Sequence, residues 1–306
     1  MGIAYPRVMS SMLRMKMNCS SCVTLDRLDH GIALITLNSP PLNLNTLHST
    51  ECLAQLCQEI SADKSIRVVV VTGAGSSAFC AGSDIHEFAE VRDDVVERKS
   101  RNENRAFTLL ETLPMPVIAA INGSALGGGA EIALACDLRF MDEKAKIGFP
   151  EVRLGVFPGS GGTFRLPRIV GQARAYELMY SGDLITAQRA YEIGLVNRLS
   201  AAGACLSDAI DFATRLSKRS ALALSVIKAG VRDSFLQSTE QATHQALEDT
   251  RRVFSAVDIE EGISAFFDKR EPVFQSARDG KRGDGKRSDG ERGDGRTRDG
   301  KRGDVG

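Results

Sequence analysis

The first third of the chain alternates between strand and helix patterns. Residues 23–26 and 31–38 predict two strands, separated by a polar turn at Asp29 and His30. Thr46 then precedes a segment whose apolar residues recur at helical spacing, which predicts a capped helix. The apolar residues at that spacing are Leu47, Cys52, Leu53, Leu56 and Ile60.

Two later segments are apolar almost throughout. Residues 67–72 (RVVVVT) and 117–121 (VIAAI) predict short strands that are covered on both faces of a sheet. After Thr163 the strand pattern fades and helical spacing dominates. The predicted helices there cover residues 173–181, 186–194, 205–218, 220–230, 237–253 and 258–270. Alternating strands and helices followed by a helical region predict the α/β class.

Composition excludes several classes of protein. The 306 residues carry 39 Lys and Arg against 39 Asp and Glu, so the formal net charge is zero. Binding to nucleic acid or anionic lipid usually requires a basic excess, and we expect neither partner. Hydrophobic residues make up 42% and charged residues 25%, as in ordinary globular proteins. No apolar stretch approaches the roughly 20 residues that span a bilayer.

Cysteines and histidines indicate neither a disulfide framework nor a metal site. The seven cysteines are an odd number spread along the chain, which favours a reducing compartment. Cys19 and Cys22 form one C-x-x-C pair without a second pair at matching distance. The four histidines show no metal-ligand spacing, so we predict no metal.

Both ends of the chain differ from its body. Residues 1–22 are basic and rich in Ser and Met, and we predict a disordered extension there. A mitochondrial transit segment has this composition, and so does a short extension from a start codon placed too far upstream. Residues 276–306 form a degenerate charged decapeptide repeat with ten Lys or Arg and seven Asp or Glu. This tail has almost no aliphatic residues to bury, so we predict that it is disordered.

A glycine motif follows the strand predicted at residues 67–72. Gly73-x-Gly75-x-x-Ala78 fits the dinucleotide fingerprint, in which a tight turn brings pyrophosphate to a helix N-terminus. A plain turn that ends the strand explains the same residues, and the rest of a dinucleotide domain is missing. We therefore favour the turn over a nicotinamide oxidoreductase.

Two other segments contain candidate chemistry. The glycines at 127–129 precede an apolar run containing Glu131, and glycines at a helix start let a ligand approach backbone N–H groups. Such N–H groups can form an oxyanion hole, although the same glycines also allow close helix packing. Glu151 lies between an apolar pair and a glycine-rich loop, where burial would raise a carboxyl pKa. A loop-surface position explains that glutamate equally well.

Taken together, these segments resemble the enoyl-CoA hydratase/isomerase (crotonase) family. The motifs are AFCAGSDI at 78–85, PMPVIAAING at 114–123, residues 125–137, FPEVRLG at 149–155 and PGSGGTFRLPRIVG at 158–171. Residues 187–197 and 261–274 also fit, so the resemblance covers about residues 23–275 in order.

The resemblance implies a fold, an assembly and a ligand. Residues 23–200 are expected to form a spiral of repeated ββα units, and residues 201–275 a C-terminal helical trimerisation region. Members of the family assemble as homotrimers or as hexamers. They bind acyl-CoA thioesters and need neither a metal nor a redox cofactor.

The resemblance also implies site residues. Ala81 and Gly128 would supply the two backbone N–H groups of the oxyanion hole. Glu131 would activate water and Glu151 would deliver a proton to the α-carbon, as water addition requires a base and an acid. The expected CoA-binding residues are Ala81, Gly82, Ser83, Asp84 and Lys269.

Some positions depart from the family pattern. Ser83 stands where many relatives have Ala or Gly, which alters the pocket. Ser77 occupies a place where many relatives carry a CoA-contacting lysine, and Phe164 replaces a common glutamine.

The implied function is enoyl-CoA hydration across a 2,3 double bond, in fatty-acid or branched-chain acyl-CoA breakdown. The alternatives are a Δ3,Δ2-enoyl-CoA isomerase or another crotonase-type lyase. One branch of the family binds RNA through a lysine-rich helix, for which residues 97–101 with Arg105 are the candidate here. Their mixed charge is more typical of a solvated face. The expected location is the cytoplasm for a bacterial protein, or the mitochondrial matrix for a eukaryotic one.

Overall fold

The computed structural model describes residues 21–280. The predicted N-terminal extension therefore lies outside the described residues except for Ser21 and Cys22, and so does the predicted tail beyond Gly280. Within the described part, no helix is both long enough and apolar enough to cross a membrane.

Ten strands and eleven α-helices make up the described chain. The strands are β1 (Val23–Leu28), β2 (Ile32–Leu37), β3 (Val68–Gly73), β4 (Ala78–Cys80), β5 (Val117–Ile121), β6 (Ser124–Leu126), β7 (Leu138–Asp142), β8 (Lys146–Gly148), β9 (Leu184–Thr186) and β10 (Arg198–Ser200). The helices are α1 (Leu47–Ala62), α2 (His86–Val91), α3 (Arg101–Glu111), α4 (Gly128–Leu134), α5 (Gly162–Val170), α6 (Gln172–Ser181), α7 (Ala187–Glu192), α8 (Cys205–Ser217), α9 (Ala221–Asp233), α10 (Thr239–Phe254) and α11 (Asp258–Phe267).

The strands form two sheets that are built in repeats. One sheet has six strands in the order β1-β2-β3-β5-β7-β10, and the other has four in the order β4-β6-β8-β9. Three successive strand pairs, β3–β4, β5–β6 and β7–β8, each contribute their first strand to the large sheet and their second to the small one. Within each sheet these strands pair in parallel. The predicted spiral of strand-strand-helix units is therefore confirmed.

The large sheet is covered on both faces. Val69 and Val71 of β3 belong to the main hydrophobic core, whereas Val68 and Val70 belong to a second core beneath α8. All four valines are fully buried. This two-sided burial accounts for the absence of polar residues in the middle of β3.

Helix α1 begins where the sequence predicts. The Thr46 side chain accepts a hydrogen bond from the Ser49 N–H, and the Ser49 side chain accepts one from the Thr46 N–H. This reciprocal pair satisfies two backbone donors at the helix start. The buried side of α1 then packs against the main core.

The structure corrects one expectation about the chain after Thr163 and confirms another about the turn at Gly73. Strands β9 and β10 follow Thr163, where the strand pattern fades and the sequence predicts mainly helices. Each has only three residues, too few to show a strand periodicity. The motif that begins at Gly73 is followed by strand β4 rather than a helix, so it is a turn between strands and not a dinucleotide site.

The packed body extends beyond the predicted tail boundary at residue 276. Ser276 is fully buried, and its N–H donates to Asp258 Oδ1 at 2.9 Å. The Arg278 guanidinium donates to the Asp63 carbonyl oxygen at 2.6 Å and contacts Met115 Sδ at 3.6 Å. Residues 276–280 therefore belong to the folded body, because specific polar partners hold them there.

Candidate active site

The two predicted glutamates lie in different elements of one site. Glu131 is in the first turn of α4, and Glu151 is in a short 3-10 helix (Pro150–Leu154) that follows β8. Strand β6 leads into α4, and β8 leads into the 3-10 helix. Because β6 and β8 pair in parallel, the segments that carry Glu131 and Glu151 lie close together. The charge of Glu151 acts on the Glu131 carboxyl, which agrees with this closeness.

Glu131 is held by the backbone of the glycine-rich loop before α5. Its Oε1 accepts hydrogen bonds from the Ser160 N–H at 2.9 Å and the Gly162 N–H at 2.8 Å. The residue is only 3% exposed. Two backbone donors fix the direction of this carboxylate and favour its ionised form.

Glu151 has the opposite environment. Both of its carboxylate oxygens are buried, and neither has a hydrogen-bond partner among the described residues. A β-carbon placed on Gly127 would lie 3.1 Å from Glu151 Oε1, so only a glycine leaves that carboxylate its space. A buried polar group without a partner is costly in a folded protein and marks a candidate functional group.

Burial raises the pKa of both carboxyls, that of Glu131 to about 8 and that of Glu151 to about 7. The negative charge of Glu103 contributes to both shifts. The two glutamates titrate as a pair, so near neutral pH they share about one proton. The higher pKa of Glu131 favours the proton on that carboxyl, whereas the two backbone N–H donors favour a charge there. The shared proton can therefore reside on either carboxyl, so the pair is able to both accept and donate a proton.

Ala81 does not supply the predicted oxyanion donor. Its N–H already donates to the Leu42 carbonyl oxygen at 2.9 Å. Two residues later, the Ser83 N–H has no hydrogen-bond acceptor within residues 21–280. Gly82 lies between them with φ +109°, and this turn redirects the chain so that Ser83 faces α4.

The second predicted donor lies beside Ser83. Gly128 is the first residue of α4, where a helix leaves its N–H groups without intrahelical acceptors. A β-carbon on Gly128 would lie 3.7 Å from Ser83 N and 3.2 Å from Ser83 Oγ. Ser83 and Gly128 therefore form the pair of neighbouring N–H groups that the sequence assigned to Ala81 and Gly128.

The predicted CoA-binding residues separate into two groups. Residues 81–84 form one loop, and its backbone pairs with Asn45 through the Gly82 carbonyl and the Asp84 N–H. Lys269 lies just after α11 with a left-handed backbone at φ +54°. No hydrogen bond or ion pair in the described structure joins Lys269 to that loop.

A cluster of buried polar residues next to the site was not predicted. Glu103 Oε1 accepts hydrogen bonds from Asn45 Nδ2 at 2.8 Å and Ser83 Oγ at 3.1 Å, and pairs with Lys99 Nζ at 3.1 Å. The Ser160 hydroxyl donates to Glu103 Oε2. Since these residues come from four separate segments, sequence spacing holds no signal for them.

The candidate RNA-binding segment presents paired charges. Lys99 is buried and pairs with Glu103 and with Glu87. Arg101 forms an exposed pair with Glu97. Arg98 and Arg105 are exposed, so the segment presents a mixture of paired charges and solvent-facing cations.

Known proteins match this chain over nearly all of its described part. The family model for enoyl-CoA hydratase/isomerase matches residues 27–277. A putative enoyl-CoA hydratase/isomerase of Bacillus subtilis is 41% identical over 247 residues, which are 80% of this chain and 94% of that protein. A 2,3-dehydroadipyl-CoA hydratase of Escherichia coli is 39% identical over 251 residues, which are 80% of this chain and 95% of that protein.

A solved structure agrees with the sequence matches. The crystal structure of an enoyl-CoA hydratase from Bacillus anthracis superposes with a TM-score of 0.80 at 35% identity. The superposition covers 83% of this chain and 98% of the Bacillus anthracis chain. The chain belongs to the enoyl-CoA hydratase/isomerase family, and the resemblance inferred from its motifs is confirmed. It is an enzyme of the hydro-lyase type, as its named relatives are.

Proposed function

We propose that this enzyme adds water across the 2,3 double bond of a 2-enoyl-CoA thioester. The observation that supports the proposal is the contrast between its two buried glutamates. Glu131 is oriented by two backbone N–H groups, whereas the buried carboxylate oxygens of Glu151 have no hydrogen-bond partner within residues 21–280. Hydration needs both a base for water and an acid for the α-carbon, and this pair provides one of each.

The backbone donors would bind the thioester carbonyl. Attack of water on C3 moves electron density through C2 to the carbonyl oxygen, which becomes enolate-like. The neighbouring N–H groups of Ser83 and Gly128 would donate hydrogen bonds to that oxygen. Preorganised donors of this kind contribute several kcal/mol in a dry site, roughly 3–4 kcal/mol for one donor.

The two glutamates then move protons in opposite directions. Glu131 accepts a proton from the water whose oxygen bonds to C3, and Glu151 gives its proton to C2. The proton of the pair has thereby passed from Glu151 to Glu131, and it must return before the next turnover. This sequence needs no proton donor beyond water and the two carboxyls.

The test follows the ultraviolet absorbance of the conjugated thioester in crotonyl-CoA. Wild-type protein is expected to remove that absorbance, and Glu131→Gln and Glu151→Gln are each expected to lower kcat about 10²–10⁴-fold. Glu177→Gln serves as the matched control, because Glu177 is exposed on α6. Full activity in either active-site variant would refute the proposed pair.

The same variants distinguish hydration from isomerisation. Isomerisation moves the double bond from the 3,4 to the 2,3 position. One carboxylate can carry the proton for this reaction, and Glu151 would suffice. A 3-enoyl-CoA thioester that Glu131→Gln still converts, with no hydration by the wild type, would identify an isomerase. Hydration by the wild type that Glu131→Gln abolishes, while isomerisation is retained, supports the hydratase.

We also propose that the active form is a homotrimer or a dimer of trimers. Helices α9, α10 and α11 and the turn that follows α9 expose large apolar side chains that one chain leaves uncovered. These include Val231, Phe235, Leu236, Leu247, Phe254, Ile263, Phe266 and Phe267, each more than half exposed. Apolar patches of this kind usually mark interaction surfaces. An assembled neighbour would also bring a Lys269 to a second chain's CoA site.

A further inference from the structure

Glu103 connects two parts of the site that hold different chemical groups. Its Oε1 accepts the hydroxyl hydrogen of Ser83, whose N–H is one proposed oxyanion donor. Its Oε2 accepts the hydroxyl hydrogen of Ser160, whose N–H binds Glu131. One carboxylate therefore contacts both the oxyanion loop and the loop that orients the base.

The remaining partners of Glu103 hold it in place. Asn45 Nδ2 donates to Oε1 at 2.8 Å, and the amide cannot rotate freely because Thr50 Oγ1 donates to Asn45 Oδ1 at 3.0 Å. Lys99 supplies the balancing charge, with a side chain that is only 4% exposed. A buried carboxylate with this many partners is rigid, since losing any of them leaves a polar group unsatisfied.

A second residue of α3 forms a hydrogen bond with the loop that contains Ser160. Asn104, the next residue of α3, donates from Nδ2 to the Gly159 carbonyl oxygen at 2.9 Å. Helix α3 thus contacts the 158–161 loop through two successive side chains, Glu103 and Asn104. Helix α3 is itself packed against α1, which makes it a firm support for the loop.

We propose that Glu103 is a positioning residue that holds the Ser83 N–H and the Glu131 carboxylate in one fixed arrangement. The inference rests on the proposed hydration. Glu103 does not touch the reacting atoms in this account, and it acts through Ser83 and Ser160. Two hydroxyls are essential to it, and one of them, Ser83, stands where many relatives carry a residue without a hydroxyl.

The charge on Glu103 provides a second effect that a purely structural role would lack. Its negative charge raises the pKa of Glu131 and that of Glu151. Neutralising Glu103 lowers both pKa values, so the pH at which the pair holds one proton moves down. The other charged groups facing Glu103 are Lys99 on the turn before α3 and Glu87 on α2, which pairs with Lys99.

The test compares Glu103→Gln, Ser83→Ala and Ser160→Ala with wild type in crotonyl-CoA hydration. Glu103→Gln is expected to lower kcat about 10-fold or more, to change KM less than about 3-fold, and to move the kcat pH profile toward lower pH. Each serine variant is expected to lower kcat without moving that profile. The double variant Glu103→Ala/Ser160→Ala should have nearly the same kcat as Glu103→Ala alone, because the Ser160 hydroxyl acts through the Glu103 carboxylate.

Glu97→Gln is the control, since Glu97 precedes the same helix and is an exposed residue paired with exposed Arg101. Folded Glu103→Gln protein with the wild-type kcat and pH profile would overturn the proposal. So would a large rise in KM at unchanged kcat, which would make Glu103 a substrate contact. If the wild type hydrates no thioester, the proposed function fails. In that case ¹³C carboxyl titration of Glu131 and Glu151 in wild type and Glu103→Gln still tests the coupling.

A separate cluster carries a second inference. Cys22 directly precedes β1, and His48 and Cys52 lie one turn apart on α1. The sulfur and nitrogen atoms of these three side chains lie within 4.8 Å of one another. His48 Nε2 and Cys52 Sγ are 4.0 Å apart. The predicted absence of metal-ligand spacing missed this group, because its third member comes from another element.

We infer that Cys22, His48 and Cys52 form a binding site for a soft ion such as Zn²⁺. Thiolate and imidazole are the ligands that zinc prefers, at roughly 2.3 Å and 2.0–2.1 Å. Those bond lengths place tetrahedral ligand atoms roughly 3.5–3.8 Å apart, so the cluster needs only a small contraction. His48 is exposed, which gives the ion a path from solvent.

Zinc itself is the probe, and its binding is measured on the full chain without reference to hydration. Chelator-stripped protein is titrated with Zn²⁺ against a chromophoric competitor. One ion per chain is expected, and Cys52→Ser and His48→Ala should each weaken binding at least about tenfold. His244→Ala is the matched control on α10. Wild-type zinc affinity in both cluster variants would overturn this assignment, as would no binding at micromolar zinc.

Discussion

Glu131 and Glu151 are the same residue type in different surroundings. The Ser160 and Gly162 N–H groups hold Glu131, whereas the buried oxygens of Glu151 meet no donor in the described structure. Water addition needs these two states at the same time. The difference between the two roles therefore lies in the backbone around each carboxyl and not in the residue itself.

The raised pKa values predict how stability depends on pH. Burial holds the pKa of Glu131 at about 8 and that of Glu151 at about 7 in the folded protein, against about 4.3 when unfolded. Folded protein therefore binds protons more tightly, and the stabilisation present below about pH 4.3 is lost as pH rises through 7 and 8. The double variant Glu131→Gln/Glu151→Gln lacks this loss. We expect it to exceed wild-type stability by at least about 1 kcal/mol at pH 9, measured by urea unfolding.

The same comparison at pH 5 is the control. There both carboxyls are protonated in the folded state, so the variant and wild type should differ much less. A stability difference that does not change between pH 5 and pH 9 would contradict the assigned pKa shifts.

At the scale of elements, the three glycines at the start of α4 serve both the active site and the packing of the helix. Gly127 leaves space for Glu151, and Gly128 lies beside the Ser83 N–H. Gly129 packs directly on strand β4, since its α-carbon faces the Cys80 carbonyl oxygen. The sequence left open whether these glycines serve chemistry or packing, and the structure shows that different glycines serve each.

That division predicts different defects for two neighbouring substitutions. A β-carbon on Gly129 would collide with the Cys80 backbone, so Gly129→Ala is expected to lose about 3 kcal/mol of stability or more. A β-carbon on Gly128 meets Ser83 Oγ at 3.2 Å, a side chain that can turn away. Gly128→Ala should therefore fold and lose at least about tenfold in kcat. Thermal unfolding and crotonyl-CoA kinetics on both variants measure the contrast, and equal melting temperatures would contradict it.

At the scale of the whole molecule, the C-terminal helices leave an apolar surface that a single chain does not cover. Leu247 and Phe254 lie seven residues apart on one side of α10 and are 56% and 66% exposed. We expect Leu247→Asp/Phe254→Asp to convert a trimer of about 99 kDa, three times 33.0 kDa, into monomers. Light scattering after size-exclusion chromatography measures the change. Gln245→Glu adds charge to the other face of α10 as the control, and a monomeric wild type would refute the proposed assembly.

The C-terminal edge of the body gives a prediction about truncation. A variant that ends at Gly280 keeps every described contact and should match the full chain in melting temperature. One that ends at Gln275 loses the Ser276 bond to Asp258 and both contacts of Arg278. We expect it to lose about 2 kcal/mol, roughly 4–8 °C in melting temperature. Equal melting temperatures for the two variants would place the boundary at residue 276 after all.

Local patterns in the sequence predict the longer elements and the family. Helix α1, its cap at Thr46, and strands β3 and β5 follow from local patterns, since spacing and capping involve residues within a few positions. The family follows from several motifs in fixed order, and Glu131 and Glu151 come with it. These features are local or are repeated among relatives, so they can be seen without the fold.

Only the tertiary structure decided which groups meet. Within the described residues, the Ser83 N–H has no acceptor, whereas the Ala81 N–H already donates to Leu42, some forty residues earlier. Glu103 lies between Ser83 and Ser160, and Cys22 lies beside Cys52, through contacts across distant segments. Strand pairing and helix packing fix such contacts, and neither leaves a periodic pattern along the chain. The chemistry that depends on neighbours therefore became visible only in the folded molecule.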